Sequence, residues 1–219
     1  MTRSLAVLFD LDGTLIDSIP LIVQSMRHAF AGRARAPTDA EWVARIGTPL
    51  DGMIRAWAED EADAAWLKER YKEHQWAHHD AMVAPFPGVP ELLRALEARG
   101  VAMAVVTSKL EASARRSLAH LGLEGHFRAV VGLESTDRHK PDPAPVRHAL
   151  ARLGAAPGEA AFVGDSPHDV RAGNAAGVAT VATLWGPFSR EALAEAGPSA
   201  WAPQVEDVLP VLDRLAGER

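Results

Sequence analysis

Leu5-Ala6-Val7-Leu8-Phe9-Asp10-Leu11-Asp12-Gly13-Thr14 is an unbroken apolar run that stops on two carboxylates and a glycine. Five apolar residues without polar alternation predict a strand buried on both faces, the condition of a parallel sheet, with a functional loop beyond its end. Val101-Ala102-Met103-Ala104-Val105-Val106 repeats the pattern and ends in Thr107-Ser108. Ala160-Ala161-Phe162-Val163-Gly164 repeats it again and ends in Asp165-Ser166. Val178 to Ala182 reads as a further strand, and Arg128 to Val131 as a weaker one.

Helical patterns lie between these runs. Pro90 to Arg99 stops at Gly100, Glu111 to Leu121 at Gly122, Pro143 to Leu153 at Gly154 and Pro167 to Ala176 at Gly177. Glycine just past a helix end accepts the left-handed conformation that caps it. Strands alternating with helices predict an α/β fold with a doubly wound parallel sheet. Residues 18–84 break the alternation. Leu21 to Phe30, Asp39 to Ile46, Leu50 to Trp57 and Glu61 to Trp76 all read as helices, and Trp42, Trp57, Trp66 and Trp76 fall among them, read as the core of a small domain. The expected organisation is a core of residues 1–17 and 85–219 with a helical domain, 18–84, inserted after the first strand.

The composition narrows the function. Among 219 residues there is no cysteine, which removes disulfides, thiol nucleophiles and zinc–thiolate sites. A formal net charge of −6 disfavours a nucleic-acid partner. Leu5 to Phe9 is too short for a signal sequence or a membrane span, so a cytoplasmic protein is expected. The oligomeric state is not readable.

In open parallel sheets, ligands bind beyond the carboxyl ends of the strands. Asp10 and Asp12, Thr107 and Ser108, and Asp165 all fall at such ends, with Lys140 in the segment before the Pro143 helix. Clustered carboxylates need a cation, and an all-oxygen ligand set suits Mg²⁺. A phosphate on that metal would find donors in Lys140, the Thr107 hydroxyl and backbone amides near Gly13 and Ser108. The bland alternatives are a turn at Asp10–Asp12, helix caps at Thr107–Ser108 and Asp165–Asp169, and a surface lysine at 140. A calcium loop would need further acids at alternate positions, which Thr14 to Ile16 lack. His74 and His78, four apart and followed by His79-Asp80, have ligand-like spacing without a complete ligand set, and read as a polar helix end.

Asp10-Leu11-Asp12-Gly13-Thr14, Val106-Thr107-Ser108-Lys109, Lys140-Pro141-Asp142-Pro143 and Gly164-Asp165-Ser166-Pro167-His168-Asp169 together resemble the four ordered motifs of haloacid dehalogenase superfamily phosphatases. The inserted helices resemble that superfamily's cap, and the resemblance implies a Rossmann-like core. It implies Asp10 as nucleophile, forming an aspartyl-phosphate, and Asp12 as general acid and then base. Mg²⁺ would be held by the Asp10 carboxylate, the Asp12 backbone carbonyl and Asp165. Thr107, Ser108 and Lys140 would bind phosphate, and Asp169 would orient Lys140 or metal-bound water. Superfamily dehalogenases usually lack the second aspartate, so Asp12 argues for phosphorus chemistry. Phosphonate hydrolases of this type use a cap lysine, and Lys68 and Lys72, the cap's lysines, sit in no such motif. Arg45-Ile46-Gly47-Thr48-Pro49-Leu50 and Lys109 resemble the specificity segments of phosphoglycolate phosphatases and related pyrophosphatases, with Arg45 placed to meet an anionic tail and Gly47 to let the backbone approach a ligand. Tyr71 to Met82 resembles the pyrophosphatase members. The expected substrate is a small phosphorylated metabolite. A β-phosphoglucomutase-like activity and a non-hydrolytic regulatory protein on the same fold stay open.

Overall fold

A computed structural model describes residues 5–217. The chain begins with β1 (Ala6–Phe9) and β2 (Ile16–Asp17), then runs through α1 (Ile19–Ala29), α2 (Asp39–Val43), α3 (Leu50–Arg55) and α4 (Glu61–Met82). It returns through β3 (Ala84–Pro85), α5 (Val89–Ala98), β4 (Met103–Val106), α6 (Glu111–His120), β5 (Ala129–Val131) and α7 (Ala144–Leu153). It closes with β6 (Ala160–Gly164), α8 (Pro167–Ala176), β7 (Ala179–Thr183), α9 (Arg190–Ala194), β8 (Ala200–Ala202) and α10 (Val208–Gly217).

Six of these strands form one parallel sheet in the order β5-β4-β1-β6-β7-β8. Successive side chains of a strand point to opposite faces, and both faces here are covered. Val7 and Phe9 pack with Leu93 of α5, Leu118 of α6 and Val211 of α10. Ala6 and Leu8 pack with Val146 of α7 and Ala172 of α8. That two-sided burial is why the strands carry no polar alternation. The strand order reverses about β1, so the carboxyl ends of β1 and β6 open onto the crevice where such sheets bind ligands.

The helices α1 to α4 surround a separate apolar cluster that includes Met26, Phe30, Trp42, Ile54, Leu67 and Tyr71. Trp42 is 1% exposed, with its ring 5.0 Å from Phe30 and 6.4 Å from Trp57. Local chemistry starts these helices. Thr38 and Glu41 form a reciprocal capping box at α2, and the Asp60 carboxylate accepts from the Asp63 amide at 2.8 Å to cap α4. Where the chain leaves and re-enters the sheet, β2 and β3 pair antiparallel, Ile16 opposite Pro85 and Asp17 opposite Ala84.

Besides the β2–β3 pair, which no apolar run announces, the elements differ from expectation chiefly at α4 and after β7. Helix α4 runs to Met82 instead of Trp76, carrying its histidines inside the helix, and stops before the Ala84–Pro85 pair, where proline disfavours a helical predecessor. The segment after β7, read without further elements, holds α9, the edge strand β8 and α10. No helix among the described residues is long and apolar enough to cross a membrane.

Replacing Trp42 with alanine empties the centre of the α1–α4 cluster. The expected loss is about 3–5 kcal/mol in denaturant unfolding, and a loss below ~1 kcal/mol would mean the cluster collapses around the gap.

Candidate active site

Asp10 follows the last residue of β1, Thr107 follows β4, Asp165 follows β6 and Asp169 lies in the first turn of α8. Lys140 comes from the loop before α7 and reaches under them. Its Nζ donates to Asp10 Oδ1 at 2.7 Å, to Asp169 Oδ1 at 2.6 Å and to the Val106 carbonyl at 3.2 Å. All these side chains are buried. Burial works against the Lys140 charge, but Asp10 and Asp169 outweigh it and hold the ammonium above its ordinary value. Burial pushes the Asp10 carboxyl up to about 7, against the pull of Lys140 and with the repulsion of Asp169 behind it. Burial also raises Asp165, and the charges of Asp10 and Asp169 add to it.

Adjacent buried acids such as these would be held ionised by a cation placed between them. One oxygen each of Asp10, Asp165 and Asp169 lie within 4.8 Å of one another, the one set of acidic, histidine or cysteine groups among the described residues that could hold a metal. The hydrogen bonds separate their roles. Asp169 spends both oxygens, Oδ1 on Lys140 and Oδ2 on the Ser166 amide (3.0 Å) and hydroxyl (2.6 Å) that start α8. Asp165 accepts through Oδ1 from the Thr14 hydroxyl at 2.6 Å, while its buried Oδ2 has no hydrogen-bond partner. An orphaned carboxylate oxygen beside Asp10 fits a bound hard cation. Glycines make the space for it. A Cβ on Gly13 would meet Asp165 Oδ2 at 2.6 Å, and one on Gly186 would meet Asp165 Cγ at 2.7 Å.

Asp12 points elsewhere. Its Oδ1 accepts from the Ser18 hydroxyl at 2.5 Å and from Lys109 Nζ at 2.6 Å. The Thr107 hydroxyl accepts from the Lys109 amide at 3.1 Å, which leaves its proton free to donate. The Ser108 hydroxyl donates to the Gly47 carbonyl at 2.6 Å and joins the sheet edge to the helical segment. Arg45 stands apart from this group. Its side chain is exposed and lies outside the cavity lining, so Gly47 and Lys109 reach the site and Arg45 does not.

The histidines of α4 form contacts, not a ligand set. The His74 and His78 rings stack at 4.1 Å, His28 lies 5.0 Å from His74, and the Ser25 hydroxyl is 3.1 Å from His74 Nδ1. His79 sits between Asp80, 2.6 Å from Nδ1, and Ser117 of α6, 2.7 Å from Nε2, and burial lowers its proton affinity. It ties α4 to α6. The contacts of Ser18 with Asp12, and of Thr14 and Gly186 with Asp165, join segments distant enough that the local sequence does not announce them, although Thr14 belongs to the Asp10–Thr14 motif.

Comparison with known proteins gives concordant results. A family model described as "Haloacid dehalogenase-like hydrolase" matches residues 7–183. The chain is 34% identical over 207 residues to "Pyrophosphatase PpaX" of Anoxybacillus flavithermus, covering 94% of this chain and 95% of that protein. It is 38% identical over 206 residues to "Phosphoglycolate phosphatase" of Rhodospirillum rubrum, covering 89% and 85%. A crystal structure from Haemophilus somnus 129pt, described as a predicted phosphoglycolate phosphatase, superposes with a TM-score of 0.88 at 26% identity, covering 96% of this chain and 99% of that one.

The glycine packing generates a prediction. Gly186→Ala should push the Asp165 carboxylate aside and weaken divalent-cation binding by roughly 10–100-fold, read by titration calorimetry. Unaltered affinity would remove Asp165 from the cation site.

Proposed function

The chain belongs to the haloacid dehalogenase-like hydrolase family, and from that premise we propose that it is a Mg²⁺-dependent phosphohydrolase working through an aspartyl-phosphate at Asp10. The observation that carries this reading is the buried Lys140 ammonium bridging Asp10 and Asp169, with the open oxygen of Asp165 alongside.

In this mechanism the Asp10 carboxylate attacks phosphorus, and the bond from phosphorus to the leaving oxygen breaks. Asp12 supplies the proton that the leaving oxygen takes up, then removes one from the water that hydrolyses the intermediate. Ser18 and Lys109 fix the Asp12 carboxylate for both transfers. The Thr107 hydroxyl and the Ser108 amide offer donors to the phosphoryl oxygens, while Lys140 offsets negative charge next to Asp10. The Asp10 carboxylate, the Asp12 backbone carbonyl and Asp165 would hold Mg²⁺, and Asp169 keeps Lys140 aimed from behind. When bound, the ion supplies positive charge that polarises the phosphoryl group and holds its neighbouring carboxylates ionised.

The same reading assigns residues 18–84 to a cap over a core of residues 1–17 and 85–219, swinging about the β2–β3 pair. Its support is the separate apolar cluster of α1–α4 and the position of β2–β3 at both crossings. Relatives named for pyrophosphate and phosphoglycolate make these the first substrates to assay. Glucose 1-phosphate tests the mutase alternative, for which isomerisation without net phosphate release is the signature.

Acetyl phosphate hydrolysis with Mg²⁺ should fall at least ~10³-fold in Asp10→Asn, in keeping with loss of a covalent nucleophile. Wild-type-like turnover in that variant would end the reading. Acidity gives a second test. Burial pushes Asp10 up to about 7 and raises Asp165 as well, so Asp10 takes up a proton as pH falls through that value, and a cation must displace it. Mg²⁺ affinity should therefore drop from about pH 8 to about pH 6, with proton release on binding measured in buffers of different ionisation enthalpy. A flat affinity profile would contradict the assignment.

A further inference from the structure

From the walls of the cavity that opens off Asp10 and Asp12, we propose that this enzyme also takes phosphate monoesters of a primary alcohol bearing a flat, uncharged ring, with Trp76 and Leu110 receiving the ring. The inference rests on the phosphohydrolase reading above and extends it from the phosphate to the leaving group.

The cavity has a volume of about 690 Å³ and runs from the carboxylates outward between the sheet edge and the helical segment. That is the size that encloses a drug-sized ligand, about 300–1,000 Å³. A phosphorylated two-carbon acid or pyrophosphate occupies a small part of it. Beyond Asp12 the walls include Ile22, Ile46 and Met53 on one side and Leu110 and Leu133 on the other.

Charge inside the cavity points the same way. Each lysine or arginine on its lining already has a carboxylate partner: Lys109 with Asp12 at 2.6 Å, Lys68 with Asp51 at 2.5 Å, Lys72 with Glu69 at 2.7 Å and Arg116 with Asp80 at 3.1 Å. A second anionic group on the substrate would share its cation with a carboxylate already in place and meet that carboxylate's repulsion, whereas an uncharged ring meets none.

The exposed side chains supply the receiving surface. Trp76 is 70% exposed, Trp66 49% and Leu110 44%, the exposed large apolar side chains among the described residues. Trp76 and Leu110 both line this cavity, while Trp66 does not. The Arg116 guanidinium lies 3.7 Å from the Trp76 ring centroid and is held by Asp80, so the indole is braced although most of its surface faces solvent. An aromatic held open at the mouth of an apolar cavity that leads to a phosphate site fits a planar leaving group. The reaction consumes one water. The phosphorus–oxygen bond to the alcohol breaks, the ring-bearing alcohol leaves with a proton from Asp12, and orthophosphate is released.

Benzyl phosphate and ethyl phosphate have leaving alcohols of similar basicity, so their comparison isolates the ring. With Mg²⁺, kcat/KM for benzyl phosphate should exceed that for ethyl phosphate by roughly 2- to 10-fold, the weight of one aromatic contact. Trp76→Ala should bring the ratio close to one, Leu110→Ala should lower it, and Trp66→Ala should leave it as in wild type. Equal kcat/KM for the two esters in the wild type, or a ratio that survives both Trp76→Ala and Leu110→Ala, overturns the inference and leaves the phosphohydrolase reading standing. Hydrolysis of neither ester, nor of acetyl phosphate, overturns both together.

Discussion

A single buried ammonium holds this site together. Lys140 sits between Asp10 and Asp169, with the Val106 carbonyl as a further acceptor, and all three side chains are withdrawn from water. Moving a lysine and two aspartates out of water is unfavourable unless each satisfies the others, so loss of one partner leaves the rest uncompensated. The constraint reaches into the fold, because Asp10 directly follows β1, Asp169 lies in the first turn of α8 and Val106 ends β4. Asp169 binds the ammonium through one oxygen and caps α8 through the other, so the start of a helix and the polarity of the site are fixed by the same side chain.

The division of labour follows from topology. The parallel sheet is dry on both faces, so its chemistry can emerge only at the strand ends, and the reversal of strand order about β1 gathers those ends in one crevice. The helical segment supplies the walls. It meets the loop after β4 through Gly47 and Ser108, and α6 through His79 with Ser117 and Asp80 with Arg116. None of these contacts involves Asp10, Lys140 or Asp165. The segment comes near that cluster at Gly47, where an added Cβ would lie 3.1 Å from the Ser166 hydroxyl that donates to Asp169.

The parallel sheet, its strand-end residues and the helical insertion were legible because each rests on a short local pattern. An apolar run ending in Asp or Thr carries both the strand and its functional loop, and Gly100, Gly122, Gly154 and Gly177 mark the helix ends. The edge strand β8 has three residues, Ala200–Ala202, two of them only half-buried, and so lacks the continuous apolar run that revealed β1, β4 and β6. The extension of α4 past Trp76 was hidden because its last turns carry no repeating apolar stripe, and the burial of His79 there comes from α6. Ser18 and Gly186 matter only through contacts with Asp12 and Asp165, and contacts between distant segments leave no local signal. Arg45 and Gly47 were read together, but Gly47 contacts Ser108 whereas Arg45 is exposed, a difference that sequence proximity does not reveal.

The pairing of every cation on the cavity lining also governs how a substrate arrives. The chain carries a formal net charge of −6, and the lining offers no unpaired positive side chain to counter that field. For an anionic substrate the consequence is kinetic: no unpaired positive side chain on the lining steers it inward, so encounter should not slow as dissolved salt shortens the reach of surface charge to about 10 Å at 0.1 M.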